Sequence, residues 1–149
     1  MLSLDTDTQV NPEVAALVDE YVCALDRRAG AAWLDLFTPD GYYLVAREAE
    51  LVAGNNVLII GEDMKRLRAR VDSGQHRDRR RTVHAVSGIR ANADATHATA
   101  SFCVWIDGVP AYSGAYRMDL ARGERGLRIR RCEVVLFGEV VHTPIFLPI

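Results

Sequence analysis

Two side chains in this sequence have a type and setting that could move protons. Asp26 closes the stretch PEVAALVDEYVCALD, and His84 lies within TVHAVSGIRA. The apolar spacing before Asp26 predicts a helix, and a carboxylate at a helix C-terminus sits at the negative end of the macrodipole. A charge there needs partners or a task. His84 interrupts an apolar strand pattern, and an imidazole titrates closer to neutrality than other side chains. An Asp can orient such a His and stabilise its charged form, which permits proton transfer alpha to a carbonyl. Tyr21 and Tyr43 could donate hydrogen bonds to a developing enolate oxygen. Each residue also has a structural reading. Asp26 would pair with Arg27, Arg28 or an arginine of the sheet, His84 would be a satisfied core histidine, and Tyr21 would pack on the inward stripe of its helix.

Other chemistries find less support. Cys23, Cys103 and Cys132 are odd in number, far apart and set in apolar patterns, which suits reduced core thiols. None has a base beside it in sequence to make it a nucleophile. His76, His84, His97 and His142 lack the spacing of a two-His, one-carboxylate iron site, and no Cys-x-His plus Cys-x-x-His pair is present for a Rieske cluster. No glycine motif for phosphate appears. Arg131 and Glu133 share an alternation face with Leu127, Ile129 and Val135, which predicts an ion pair that fills the inside of the fold in preference to a substrate anchor there.

These residues must be held by a domain of ordinary size. The chain has 149 residues, 49% hydrophobic and 26% charged, enough for one core and no more than one domain. Residues 1–11 are expected to form a flexible arm. No apolar run is long enough to span a bilayer, and the first residues do not read as a secretory signal, so a cytoplasmic protein with no membrane contact is expected. The net charge of −2 gives no general reason to bind nucleic acid. Locally the balance differs. From Glu62 to Arg81 eight Lys/Arg face four acids, a local excess of +4 that ends in Arg79, Arg80 and Arg81. With no aromatic interleaved, this stretch reads as a solvated loop or a docking surface for an acidic partner rather than a nucleic-acid site.

Start signals and periodicity order the elements. Asn11 can cap, Pro12 fits the first helical position, and Val14, Leu17, Val18, Tyr21, Val22 and Leu25 recur on one helical face. A short helix over AAWLDLF, stopped by TPDG, and a strand at YYLVAR follow. ELVAGNNVLIIG reads as two apolar pieces about a turn, and EDMKRLRARV as a short helix. From Thr82 onward, four alternating runs separated by NAD, DGVP and RGERG predict an antiparallel meander. Helices first and sheet after give an α+β fold, a curved antiparallel sheet wrapped around the long N-terminal helix.

The segment LFGEVVHTPIFLPI poses a separate problem. Val140, Val141, Ile145, Phe146, Leu147 and Ile149 would forfeit on the order of 10 kcal/mol if all were exposed. Residues 138–149 are therefore expected to form an edge strand buried at a subunit interface, with Pro144 and Pro148 keeping it extended.

EYVCALDRRAGAAWLDLFTPDGYY resembles the opening of the cone-shaped domains of the nuclear-transport-factor-two-like superfamily. RDRRRTVHAVSGI, NADATHATASFCVWI and the hydrophobic end closing in LPI are similar to the small (β) subunits of aromatic-ring-hydroxylating dioxygenases. That resemblance implies a non-catalytic subunit without cofactor or metal of its own. It would form a homo-trimer that supports a large catalytic subunit holding a Rieske iron–sulfur cluster and a mononuclear iron, in the catabolism of aromatic hydrocarbons. Arg79, Arg80, Arg81 and the apolar end would serve as interface. The same superfamily includes isomerases, dehydratases and polyketide cyclases. Against those, Asp26 and His84 match the positions of a helix-end Asp and a strand His that act as an acid–base pair on a small hydrophobic carbonyl compound.

Overall fold

The computed structural model describes residues 8–74, 77–138, 144, 145 and 147–149. Helix α1 (Pro12–Asp26) begins where expected: the Asn11 side chain accepts from the Glu13 and Val14 backbone N–H groups at 3.0 and 3.1 Å. Val14, Leu17, Val18, Tyr21 and Val22 turn inward. Arg28, at φ 56°, reverses the chain after α1, and α2 (Gly30–Leu34) follows at once. The second helix is shorter than expected. Phe37 and the TPDG turn belong instead to strand β1 (Phe37–Arg47), which is irregular between Phe37 and Tyr42. The first apolar piece of ELVAGNNVLIIG falls in a short helix, α3 (Glu48–Val52), and the second leads into β2 (Ile60–Asp63), which pairs antiparallel with β1. Helix α4 (Met64–Gly74) buries Leu67 and Val71. The arm is partly tied: Gln9 exchanges both backbone hydrogen bonds with Ala91, at 2.8 and 2.9 Å.

Strands β3 (Thr82–Ala91), β4 (His97–Ile106), β5 (Val109–Gly123) and β6 (Gly126–Leu136) form the expected meander, and the full sheet order is β2-β1-β6-β5-β4-β3. One pairing departs from the all-antiparallel expectation. β1 runs parallel to β6, from Tyr42 opposite Arg131 to Arg47 opposite Leu136. The two strands lie far apart in sequence, so no hairpin fixes their relative direction. Their runs Tyr43–Ala46 and Val134–Leu136 are buried without alternation, as central strands covered on both faces are.

A register shift corrects the placement of Arg131 and Glu133. β5 and β6 slip between Asp119 and Leu120, opposite Arg131 and Ile129, so Arg130 is an extra residue. Leu127 and Ile129 face the core before it, and Cys132, Val134 and Leu136 after it. One inserted residue exchanges the faces of everything beyond it. Arg131 and Glu133 do pair, at 3.1 Å, but on the outer face, where Glu133 also takes Arg117 at 2.6 Å. The Arg131 guanidinium lies 5.2 Å from the Tyr42 ring centroid.

Within the curve of the sheet, aromatic rings fill the cone. Trp33 meets Tyr21, Phe37 and Tyr43 edge-on with centroids 4.8–5.5 Å apart, and Phe102 stacks on Tyr116 at 4.3 Å. Among the described residues no helix is long and apolar enough to cross a membrane.

Candidate functional site

Asp26 and His84, fifty-eight positions apart, meet where the end of α1 crosses β3. The Asp26 carboxylate accepts from the His84 backbone N–H at 2.9 Å and the Thr82 hydroxyl at 3.2 Å, and its Oδ1 lies 2.6 Å from His84 Nδ1. The structural alternative for Asp26, a pair with a neighbouring arginine, is not the one adopted. An ionised carboxylate only accepts, so Nδ1 is the ring nitrogen that carries a proton towards Asp26, and in the neutral ring Nε2 presents a lone pair. Burial pushes the Asp26 carboxyl up, yet the His84 ring and backbone N–H and the Thr82 hydroxyl outweigh it and hold the group below its ordinary value of 3.8. The macrodipole conflict at the helix end is thereby offset by three donors.

The His84 side chain is 1% exposed, and its Nε2 is buried without a hydrogen-bond partner among the described residues. Trp33 Nε1 and the Tyr116 hydroxyl are likewise buried in the core with no hydrogen-bond partner among the described residues. A buried polar group without a partner costs about 1–3 kcal/mol, so such a set calls for an occupant or a task. Tyr116 lies close enough to feel the Asp26 charge. Burial first, then Tyr43, Cys132 and Asp26, keep its phenol protonated well beyond the ordinary range. Burial likewise raises Tyr21 and Tyr43, so both remain donors at any physiological pH. The Cys132 thiol, pushed up to about 12 chiefly by burial, is no nucleophile.

The Tyr21 and Tyr43 hydroxyls converge on one acceptor, the main-chain oxygen of Ile149, at 2.9 and 3.0 Å. The Ile149 N–H donates back to the Tyr43 hydroxyl at 2.9 Å. The expected edge strand over residues 138–149 is therefore not seen in its described part. Ile149 is buried in the chain's own cone, where its oxygen serves both phenols as acceptor. Ile145 and Leu147 line the mouth beside it, Tyr112 donates to the Pro144 carbonyl at 3.1 Å, and Val140, Val141 and Phe146 lie outside the described residues. Only about 70 Å³ remains open there, between Leu25, Trp33, Val71, Thr82, Ile106 and the end of the chain. That volume admits a few waters, whereas ligand pockets run to about 300–1,000 Å³. Ile149→Ala should lower the unfolding free energy by about 2 kcal/mol in urea titration. A change below about 0.5 kcal/mol, the range of neutral surface substitutions, would show that the segment is not seated there in solution.

The arginine-rich stretch borders this mouth. Arg80 pairs with Asp78 through two bonds, at 2.9 and 2.7 Å, and Arg28 donates to the Arg80 carbonyl. Arg79 and Arg81 are exposed, with the Arg81 backbone N–H on Asp107 at 2.9 Å. His97 forms a second, surface pair with Asp119, and His76 and His142 fall outside the described residues. Among the described residues no three His, Cys, Asp or Glu side chains gather as metal ligands would. Sequence reasoning singled out Asp26, His84, Tyr21 and Tyr43 but passed over Thr82, Trp33 and Tyr116. Thr82 was accessible to alternation, standing two residues before His84 on the same face.

Comparison with known proteins agrees with this architecture. The sequence profile of the SnoaL-like domain matches residues 8–133. No curated protein matches the chain. Among solved structures, a beta subunit assigned to an aromatic-ring-hydroxylating dioxygenase of Novosphingobium aromaticivorans DSM 12444 superposes with a TM-score of 0.80 at 18% identity, covering 92% of this chain and 95% of the other. The beta subunit of benzoate 1,2-dioxygenase from Burkholderia mallei gives a TM-score of 0.67 at 18% identity, over 91% and 99%. A protein assigned as a scytalone dehydratase, also from Novosphingobium aromaticivorans, gives 0.69 at 15% identity, over 92% and 91%. At these identities the likeness is one of fold.

Proposed function

The chain belongs to the SnoaL-like domain family, and we propose that its cone is an acid–base site that moves a proton alpha to the carbonyl of a small hydrophobic compound. The observation that carries this reading is the Asp26–His84 contact of 2.6 Å with His84 Nε2 left buried and unpartnered. In the proposed step Nε2 takes the alpha proton, and the electron pair of the broken C–H bond moves onto the carbonyl oxygen. Asp26 stays ionised and stabilises the imidazolium. Tyr21 and Tyr43 donate to the enolate oxygen, in the place the Ile149 oxygen now holds. In an unsaturated ketone, return of the Nε2 proton to the far carbon of the conjugated enolate completes an isomerisation. In a beta-hydroxy ketone, re-formation of the carbonyl expels the hydroxyl, which takes the Nε2 proton and leaves as water, completing a dehydration. Entry of substrate requires Ile149 to leave the two phenols.

The test needs no natural substrate. The chain should accelerate exchange of the alpha protons of 1-tetralone in deuterium oxide, followed by NMR. His84→Gln should slow that exchange by about 10²–10⁴-fold, the usual contribution of a positioned base. Equal rates for the two proteins would overturn the reading.

A second reading is favoured by the small cavity and its aromatic filling: a non-catalytic beta subunit of an aromatic-ring-hydroxylating dioxygenase. As in that resemblance, a homo-trimer would carry a large subunit with a Rieske cluster and a mononuclear iron, with Arg79, Arg80, Arg81 and the apolar end as contact surface. Here the cone would be a core and Asp26 the anchor of α1 on β3. Light scattering on the chain, alone and co-expressed with a large subunit encoded beside it, separates the two. A trimer that takes up an iron-containing partner supports the subunit role, and a dimer with no partner opposes it.

A further inference from the structure

The mouth of the cone opens beside a second, larger concavity. A groove of about 960 Å³ runs between α4 and the segment entering β3, lined by Arg66, Arg70, Arg77, Arg79 and Arg80 against Glu62, Asp78 and Asp107. Two of these arginines already hold acids: Arg70 grips Glu62 and Arg80 grips Asp78. The Arg66, Arg77 and Arg79 side chains are exposed and enter no ion pair among the described residues. Asp107, the remaining acid, accepts the Arg81 backbone N–H. The groove thus keeps a positive excess after its internal pairs are counted. Asp78 and Arg80 also line the cone mouth, so the two spaces share a wall.

We propose that this groove is an anion-binding site adjoining the cone mouth, seating the phosphorylated end of a molecule whose apolar body enters the cone. Guanidinium groups match phosphate oxygens bidentately, and several of them around one concavity suit a group with several oxygens. The shared wall favours one amphipathic ligand over an acidic protein segment, which would have no use for an apolar opening at its end. The inference rests on the cone being a ligand site, and it names the class of molecule that site takes.

Three probes separate the parts: inorganic pyrophosphate reports the groove alone, 1-naphthol the cone alone, and 1-naphthyl phosphate the two together. Titration calorimetry at low ionic strength should find 1-naphthyl phosphate bound at least about tenfold more tightly than 1-naphthol, as expected for charge-assisted bonds. The gap should close in the Arg77→Gln, Arg79→Gln double variant and in 0.5 M salt, where the Debye length falls to a few ångströms. Pyrophosphate should displace 1-naphthyl phosphate but not 1-naphthol. Equal affinities of the two naphthyl compounds, an unaffected double variant, or failure of pyrophosphate to compete would overturn the proposal. Arginine-dependent pyrophosphate binding with neither naphthyl compound bound would remove the cone reading and leave an isolated anion groove, which also overturns it. Tighter binding of poly-glutamate than of pyrophosphate would assign the groove to an acidic protein partner instead.

Discussion

Asp26→Ala is expected to lower the unfolding free energy by about 3 kcal/mol at pH 7, because it strands the His84 backbone N–H, the buried His84 ring and the Thr82 hydroxyl together. Asp26→Asn should lose about half as much, since an amide still offers one acceptor oxygen. The difference between wild type and Asp26→Ala should also depend on pH in a definite direction. The folded protein holds the Asp26 carboxyl below its ordinary value, so on acidification the unfolded chain takes up the proton first. The contribution is complete above the unfolded value near 3.8 and is lost as pH falls through the folded one. Urea unfolding at pH 5 and 3 should give a smaller gap at pH 3 than at pH 5. A gap undiminished at pH 3 would show that ionisation of Asp26 is not what anchors α1 to β3. In the proton-exchange assay the alanine variant should fall to the level of His84→Gln. Without Asp26 nothing fixes the proton on Nδ1, and the imidazolium loses its counter-charge.

Gly114→Ala carries the largest purely structural effect. A Cβ at this position would stand 2.0 Å from the Val135 carbonyl oxygen and 3.1 Å from Phe102 Cε1. The first atom is backbone, so it yields only if β5 and β6 separate where Gly114 faces Leu136. The second belongs to the ring stacked on Tyr116. Overpacking of a core costs about 1–3 kcal/mol, and a clash with main chain lies at or above the top of that range. The melting temperature should drop by about 10 °C or more. Gly123→Ala, where a Cβ would meet the Gly126 oxygen at an unstrained 3.9 Å, is the control and should be near neutral. Similar melting temperatures for the two variants would contradict the close approach of β5 to β6.

What the sequence determined by itself was local. The cap at Asn11, the apolar stripe of α1 and the four alternating runs after Thr82 are written in neighbouring residues, because helix and strand periods repeat within a few positions. The suspicion attached to Asp26 was legible for the same reason, since a carboxylate at a helix end is a local conflict. Tertiary structure alone decided that its partners would be Thr82 and His84. Nothing near Asp26 in sequence says which strand the helix end will cross. The same holds for β1, whose parallel seat beside β6 depends on the whole path of the chain between them. It holds for Arg131 and Glu133, sent to the outer face by one unpaired residue that the alternation does not reveal. It holds most of all for Ile149. The hydrophobic effect has no direction, so the apolar end could be read as buried but not as buried in which surface. Two phenols, on α1 and β1, that converge on the Ile149 oxygen supplied the direction.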